Sequence, residues 1–330
     1  MPNLPTLNVP NGESPAIVAS PLAADTLRGW ALDEELKHHA LTIPAVAASA
    51  RRIAARYIAG ESIDDALAYL AANAGRGHAF SVELVGESVR DAVTADAETE
   101  QFVDLAARLP HFAGPTTVSF DLSHIGSLVG PAFGLANALR IAEAADAAGS
   151  HLMISAEGSD RTDLVLDLFE QISDRFPATG ITLQARLHRT PADLERVFAH
   201  PGPVRLVKGA FAESERVAFP RDSAPMTEAY LAMAEQLVAA GHRVNFATHD
   251  AELVNTLHDR LGASLFGDHV EFETLQGLGT ALIDSLHSRG LATREYCVWG
   301  PQWWLYTLNR LAEQPERVLV ALADLAPPHD

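Results

Sequence analysis

GITLQARLHRTPADLERVFAHPGPVRLVKG, residues 180–209, carries a β-rich run, a segment of helical spacing and a second β-rich run in close succession. GITLQA (180–185) and PVRLVKG (203–209) are short and rich in branched residues, while PADLERVFA between them repeats apolar residues three and four apart. Strands alternating with helices at this spacing form βαβ units, and their strands run parallel.

Outward from this stretch the same alternation recurs at intervals of roughly 25 to 40 residues. Upstream lie FSVELV (80–85), TTVSFDL (116–122) and HLMISA (151–156); downstream lie HRVNFAT (242–248), DHVEFETL (268–275) and REYCVW (294–299). Helical segments such as AETEQFVDLAARL, PAFGLANALRIAEAADAAG, RTDLVLDLFEQISDRF, MTEAYLAMAEQLVAAG and DAELVNTLHDRLG separate them. Eight such units favour an α/β fold closed as a (β/α)₈ TIM-type barrel over an open sheet, and no G-x-G-x-x-G follows any strand. The expected organisation is an N-terminal arm with helices over 1–78, a barrel over 79–313 and a C-terminal tail over 314–330. Within the first part, residues 1 to about 20 lack periodicity and read as a loosely held arm, and 22–74 read as amphipathic helices.

Of the 330 residues 48% are hydrophobic, enough for a large core, and 43 acidic against 24 basic residues give a formal charge of -19. A chain this acidic repels phosphate backbones and anionic lipid, which argues against nucleic acid as a partner. The single cysteine, Cys297, excludes an internal disulfide and suits a reducing cytoplasm. Met1 to Pro21 lacks the apolar run of a signal peptide, and no stretch approaches the ~20 apolar residues of a membrane span. The expectation is a cytoplasmic chain with no transmembrane segment.

In a barrel of this kind the C-terminal strand ends share one mouth, where the chemistry lies. The polar residues there are Glu83, Glu87, Asp121, Ser123, Ser155, Glu157, Gln184, Arg186, Arg189, Arg205, Lys208, Thr248, His249, Asp250, Glu271 and Glu273. Several have plainer readings. Arg189-Thr190-Pro191 also reads as a helix start with Thr190 as its cap, the carboxylates as barrel partners for arginines, and His249 as a satisfied loop histidine. No His-x-His or His-Glu-x-x-His pair supports a metal site. Lys208, one of only two lysines, fits either a Schiff-base nucleophile of an aldolase-type barrel or a fixed cation for an anionic cofactor, and its chemistry alone leaves both open. In PQWWLYTLNRLAEQPE, Tyr306, Asn309, Arg310 and Glu313 fall at i, i+3, i+4 and i+7 and share one helix face.

Taken in order, FSVELVGE (80–87), ISAEGSDRTDLVLDLF (154–169), QARLHRT (184–190), VRLVKGAF with Glu213, FATHD (246–250), EFETLQG (271–277) and YCVWGPQWWLYTLNRLAE (296–313) resemble the proline dehydrogenase family, flavin-dependent barrels that oxidise L-proline. The resemblance implies non-covalent FAD held by Gln184, Arg205, Lys208, Gly209, Thr248 and His249. It implies a pocket for a small amino-acid-like substrate shaped by Leu206, Ala210, Phe211, Tyr296, Tyr306, Arg310 and Glu313, with hydride passing to the flavin N5 and electrons leaving to a quinone or oxygen. A non-catalytic flavin-binding homologue is the rival within the same resemblance. Four positions depart from the family pattern: Asp121 stands for a lysine, Ser155 for an aspartate, Asn309 for the first of two arginines, and Phe211 for a tyrosine. These exchanges imply an altered substrate pocket and weak oxidation of free proline.

Overall fold

A computed structural model of the chain describes residues 21–86, 88–112 and 114–326. The expected arm over residues 1–20 and the mouth residue Glu87 lie outside the described residues. Among the described residues eight strands form one closed parallel barrel in sequential order. They are β1 (Ala79–Leu84), β2 (Thr117–Phe120), β3 (His151–Ile154), β4 (Gly180–Gln184), β5 (Val204–Val207), β6 (Val244–Ala247), β7 (Val270–Leu275) and β8 (Thr293–Trp299). Closure is made by β1 on β8, in register from Ala79 opposite Arg294 to Leu84 opposite Trp299.

Among the described residues four α-helices precede the barrel: α1 (Pro21–Leu32), α2 (Glu34–Thr42), α3 (Pro44–Ala54) and α4 (Ile63–Asn73). The periodicity over 22–36 suggests one helix, but Asp33 turns extended there and its carboxylate accepts from Leu36 N–H, which starts a second one. Ser62 and Asp65 form a reciprocal capping box at the start of α4. The outer ring consists of α5 (Ala92–Arg108), α6 (Pro131–Ala148), α7 (Thr162–Ser173), α8 (Thr190–Val197), α9 (Ala224–Ala239), α10 (Ala251–Leu261) and α11 (Thr280–Ser288). After β8 come α12 (Trp303–Glu313) and α13 (Arg317–Ala323). No described helix is long and apolar enough to cross a membrane.

The apolar core lies between strands and helices, where the outward residues Phe80, Val82, Phe120, Leu206, Phe246 and Phe272 meet the helix faces. The barrel interior is instead ionic. Near the N-terminal strand ends Arg294 on β8 donates to Glu271 on β7, to Thr117 on β2 and to the Phe80 carbonyl. One layer higher, Arg205 on β5 donates to both carboxylate oxygens of Glu273 on β7, and to Ser81 on β1 and Ser119 on β2. Burial of these charges is tolerated because each is paired and hydrogen-bonded.

Candidate active site

Above the Arg205 layer the strand ends and α12 enclose a cavity of about 870 Å³, within the roughly 300–1,000 Å³ usual for small-molecule sites. All the residues expected to hold cofactor or substrate line it, apart from the core residue Leu206. β2, β3 and β5 end one residue before Asp121, Ser155 and Lys208, so these side chains stand where the chain leaves the barrel.

On the basic side, Lys208 Nζ donates to Asp250 at 2.6 Å and lies 3.5 Å from Asp222. Asp250 also caps α10 by accepting from Glu252 and Leu253 N–H. Burial would raise the Asp250 carboxyl, but Lys208 and the helix N–H groups hold it below the usual range. Thr248 Oγ1 accepts from Asp250 N–H. His249 opens onto the cavity yet is surrounded by protein; this desolvation, with Arg317, Arg310 and Lys208 nearby, lowers its pKa to about 4. Its Nε2 accepts from Leu275 N–H at 2.9 Å, which leaves the proton on Nδ1.

Gly209 has φ +111°, and a Cβ there would stand 2.8 Å from Arg186 Cγ and 3.0 Å from Gln184 Oε1. Gln184 donates through Nε2 to the Glu157 carbonyl at 2.8 Å, while its buried Oε1 has no partner among the described residues. Arg186 donates to the Phe211 and Phe219 carbonyls and so ties the loop after β5, with Phe211 at the cavity, to the end of β4.

On the lid, Arg310 pairs with Glu313 at 2.9 Å, and its guanidinium lies 5.1 Å from the centre of the Tyr306 ring. Burial lifts Tyr306 to about 12. Arg317 on α13 approaches Glu313 at 3.5 Å and donates to the Arg310 carbonyl at 3.0 Å. Arg310 Nε is buried without a partner among the described residues. Asn309 lines the cavity beside it.

Opposite the basic side stands an acidic wall. Glu83 Oε2 accepts from Ser155 Oγ at 2.9 Å and from the Tyr296 hydroxyl. Burial raises the Glu83 carboxyl against the pull of these two donors, and it raises Tyr296 as well. Asp121 lines the same cavity.

Some mouth residues belong elsewhere. Glu271 is in the lower ionic layer with Arg294, because its strand position is two residues, one layer, below Glu273. Glu157 accepts from Ser123 N–H and Arg161, outside the cavity lining. Arg189 pairs with Asp163 and Asp193, and Thr190 donates to the Gln184 carbonyl instead of capping α8. Glu213 clasps Ser159 through its N–H and hydroxyl. Sequence reasoning missed Arg317 and did not single out Glu83 from the other strand-end carboxylates. Its position two residues from Ser81, on the same inward face of β1, was the available signal.

The donor set suits FAD. Lys208, Arg186 and Arg221 line one side of the cavity and match an anionic diphosphate. Gly209 leaves backbone room for close approach, and the orphaned Gln184 Oε1 beside it suits an N–H donor such as a flavin ring edge.

The sequence pattern of the family described as proline dehydrogenase matches residues 66–313. Proline dehydrogenase from Deinococcus radiodurans is 32% identical over 273 residues, covering 80% of this chain and 86% of the relative. Proline dehydrogenase 2 of Bacillus subtilis is 28% identical over 272 residues, covering 82% and 89%. Among solved structures, proline utilization A from Bdellovibrio bacteriovorus inactivated by N-propargylglycine superposes with a TM-score of 0.75 at 19% identity, over 93% of this chain and 38% of that one. That likeness bears on the fold, since this chain spans under two-fifths of the length of the larger protein. With a barrel whose mouth joins a basic strand-end set to the Tyr306, Arg310 and Glu313 face, and with a family match across all eight strands, the chain belongs to the proline dehydrogenase family.

Proposed function

We propose that this chain oxidises the C–N bond of proline or a closely related amino acid, with FAD bound non-covalently. The observation that carries the reading is that Arg310, braced by Glu313, and the Lys208 side line one cavity in a member of this family. Bound flavin supplies the two-electron acceptor. Lys208 and Arg186 neutralise its diphosphate, Gln184 meets the ring edge, and Thr248 and His249 shape the wall between them. Arg310 takes the substrate carboxylate, with Glu313 and Arg317 fixing its orientation and Tyr306 stacked beneath it. Tyr296 and Phe211 bound the ring of the substrate, and α12 excludes water above it.

An aldolase role for Lys208 is disfavoured because its Nζ is engaged by Asp250 and Asp222, and a nucleophilic amine would have to give up both. The unpaired, buried Cys297 suits a cytoplasmic setting. The test is purification with added FAD, followed by anaerobic mixing with cyclic and linear amino acids. A yellow protein whose flavin is released on denaturation and bleached by substrate is expected, and Lys208→Ala should lose most of its flavin. A colourless protein, or full flavin occupancy in Lys208→Ala, overturns the cofactor assignment; a yellow protein bleached by no amino acid overturns the enzyme reading. Reoxidation by a soluble quinone against dioxygen then identifies the electron acceptor.

A further inference from the structure

Glu83 is a buried carboxylate, 8% exposed, that lines the cavity. Among the described residues no Lys or Arg lies within ion-pair distance of it, whereas Arg205 has Glu273 and Arg310 has Glu313. Its two recorded donors, Ser155 Oγ and the Tyr296 hydroxyl, both bond Oε2 and are neutral. Tyr306 on α12 lines the same cavity, so carboxylate and helix face a common volume. A buried carboxylate so placed is stable when a cation comes to it.

We propose that Glu83 is the partner of the substrate's ammonium group and accepts one of its protons before the C–N bond is oxidised. This rests on the amino-acid oxidation proposed above. The proton passes from N–H⁺ to a Glu83 carboxylate oxygen, the nitrogen keeps its electron pair, and the amine is left neutral. Arg310 and Glu83 then hold opposite ends of one zwitterion, which sets its orientation. Burial is the largest influence on Glu83 and raises it, opposed by Tyr296, Ser155, Arg205 and His124; Asp121 is the other acidic group on this wall. Burial without an adjacent cation favours the protonated form of a carboxyl, which suits it to taking up a proton from the ammonium.

The test is single-turnover reduction of the flavin by L-proline from pH 6 to 10, together with calorimetric binding of L-proline and of cyclopentanecarboxylate, which lacks the amine. Glu83→Gln keeps the volume and a polar group but cannot accept the proton. Its reduction rate should fall at least 100-fold at pH 7 and rise about tenfold per pH unit, as solution deprotonates the amine, while the wild type levels off. The wild type should bind L-proline at least tenfold tighter than cyclopentanecarboxylate, and Glu83→Gln should lose that preference. Ser155→Ala removes a hydrogen bond that favours the charged carboxylate, so the acid limb of the wild-type profile should move to higher pH in that variant, a readout independent of Glu83→Gln folding. A Glu83→Gln rate within threefold of wild type, a loss that pH does not restore, or retained preference for the amine overturns the proposal. If wild-type flavin is reduced by no amino acid the oxidation reading fails, and the binding preference still decides the ammonium pairing.

Discussion

On the proposed reading, Asp121 and Asn309 set how much positive charge the substrate meets. Both line the cavity, and Asp121 adds a carboxylate to the wall that already carries Glu83. A hydrogen bond to a charged group contributes about 1.5–3 kcal/mol, and more where water is excluded, so two exchanged positions shift binding by several kcal/mol. Asp121→Lys would turn an acidic group of this wall into a cation, Ser155→Asp would give that cation a partner other than Glu83 and so leave Glu83 to the substrate, and Asn309→Arg would add a second guanidinium next to Arg310. The triple variant should therefore reduce its flavin with L-proline at least tenfold faster than the parent in stopped-flow measurements. A parent that already oxidises proline as fast as the triple variant would show that pocket charge does not limit this substrate.

At the scale of elements, α12 is the piece that turns a barrel into a closed site. Gly300 begins its approach at φ +130°, where a Cβ would strike Leu84 Cδ1 at 2.6 Å. Along its length α12 is packed by α1 through Leu27 and Leu311, with Tyr57 from the turn after α3 in the same cluster, and Trp304 Nε1 donates to the Trp30 carbonyl. The opposite face presents Tyr306, Asn309, Arg310 and Glu313 to the cavity, as the i, i+3, i+4, i+7 spacing demands. The basic groups assigned to the cofactor come from strand ends, so the two halves of the site are separable. Arg310→Ala should abolish substrate-driven bleaching, by at least 100-fold in rate, with the flavin-to-protein absorbance ratio unchanged. An equal loss of flavin would mean that the helix belongs to the cofactor site.

For the molecule as a whole, the ionic filling of the barrel ties opposite strands together. Arg205 is 4% and Glu273 1% exposed, and their contacts span β1, β2, β5 and β7. Burial alone would raise Glu273, but Arg205 outweighs it and holds the carboxyl below its ordinary value. A glutamate depressed in the folded state stabilises above its unfolded pKa of about 4.3, and that contribution is lost as pH falls through the folded value. Glu273→Gln leaves Arg205 buried and unpaired, and breaking such a pair costs about 3–5 kcal/mol. Urea titration at pH 7 should report a loss of this size, narrowing as pH approaches 4 and below. A difference under about 1 kcal/mol at pH 7 would mean that the remaining hydrogen bonds carry Arg205 without its counter-ion.

The fold was legible because period is a local property. Branched runs near 80, 116, 151, 180, 203, 242, 268 and 294, separated by helical spacing, could only alternate as βαβ units, and the structure closes all eight. The shared face of Tyr306, Arg310 and Glu313 followed from helical geometry alone. Partner choice is not local. Glu271 and Glu273 look equivalent in sequence, yet one strand layer separates them, and opposing arginines on different strands claim them. Asp250 caps α10 through contacts local in the chain, but its hold on Lys208 depends on β5 and β6 being neighbours. Glu83 shows the same division most clearly. Its place on a strand followed from the sequence pattern, whereas its burial with no counter-cation among the described residues, beside Tyr296 from the far end of the chain, arose only when β8 closed onto β1.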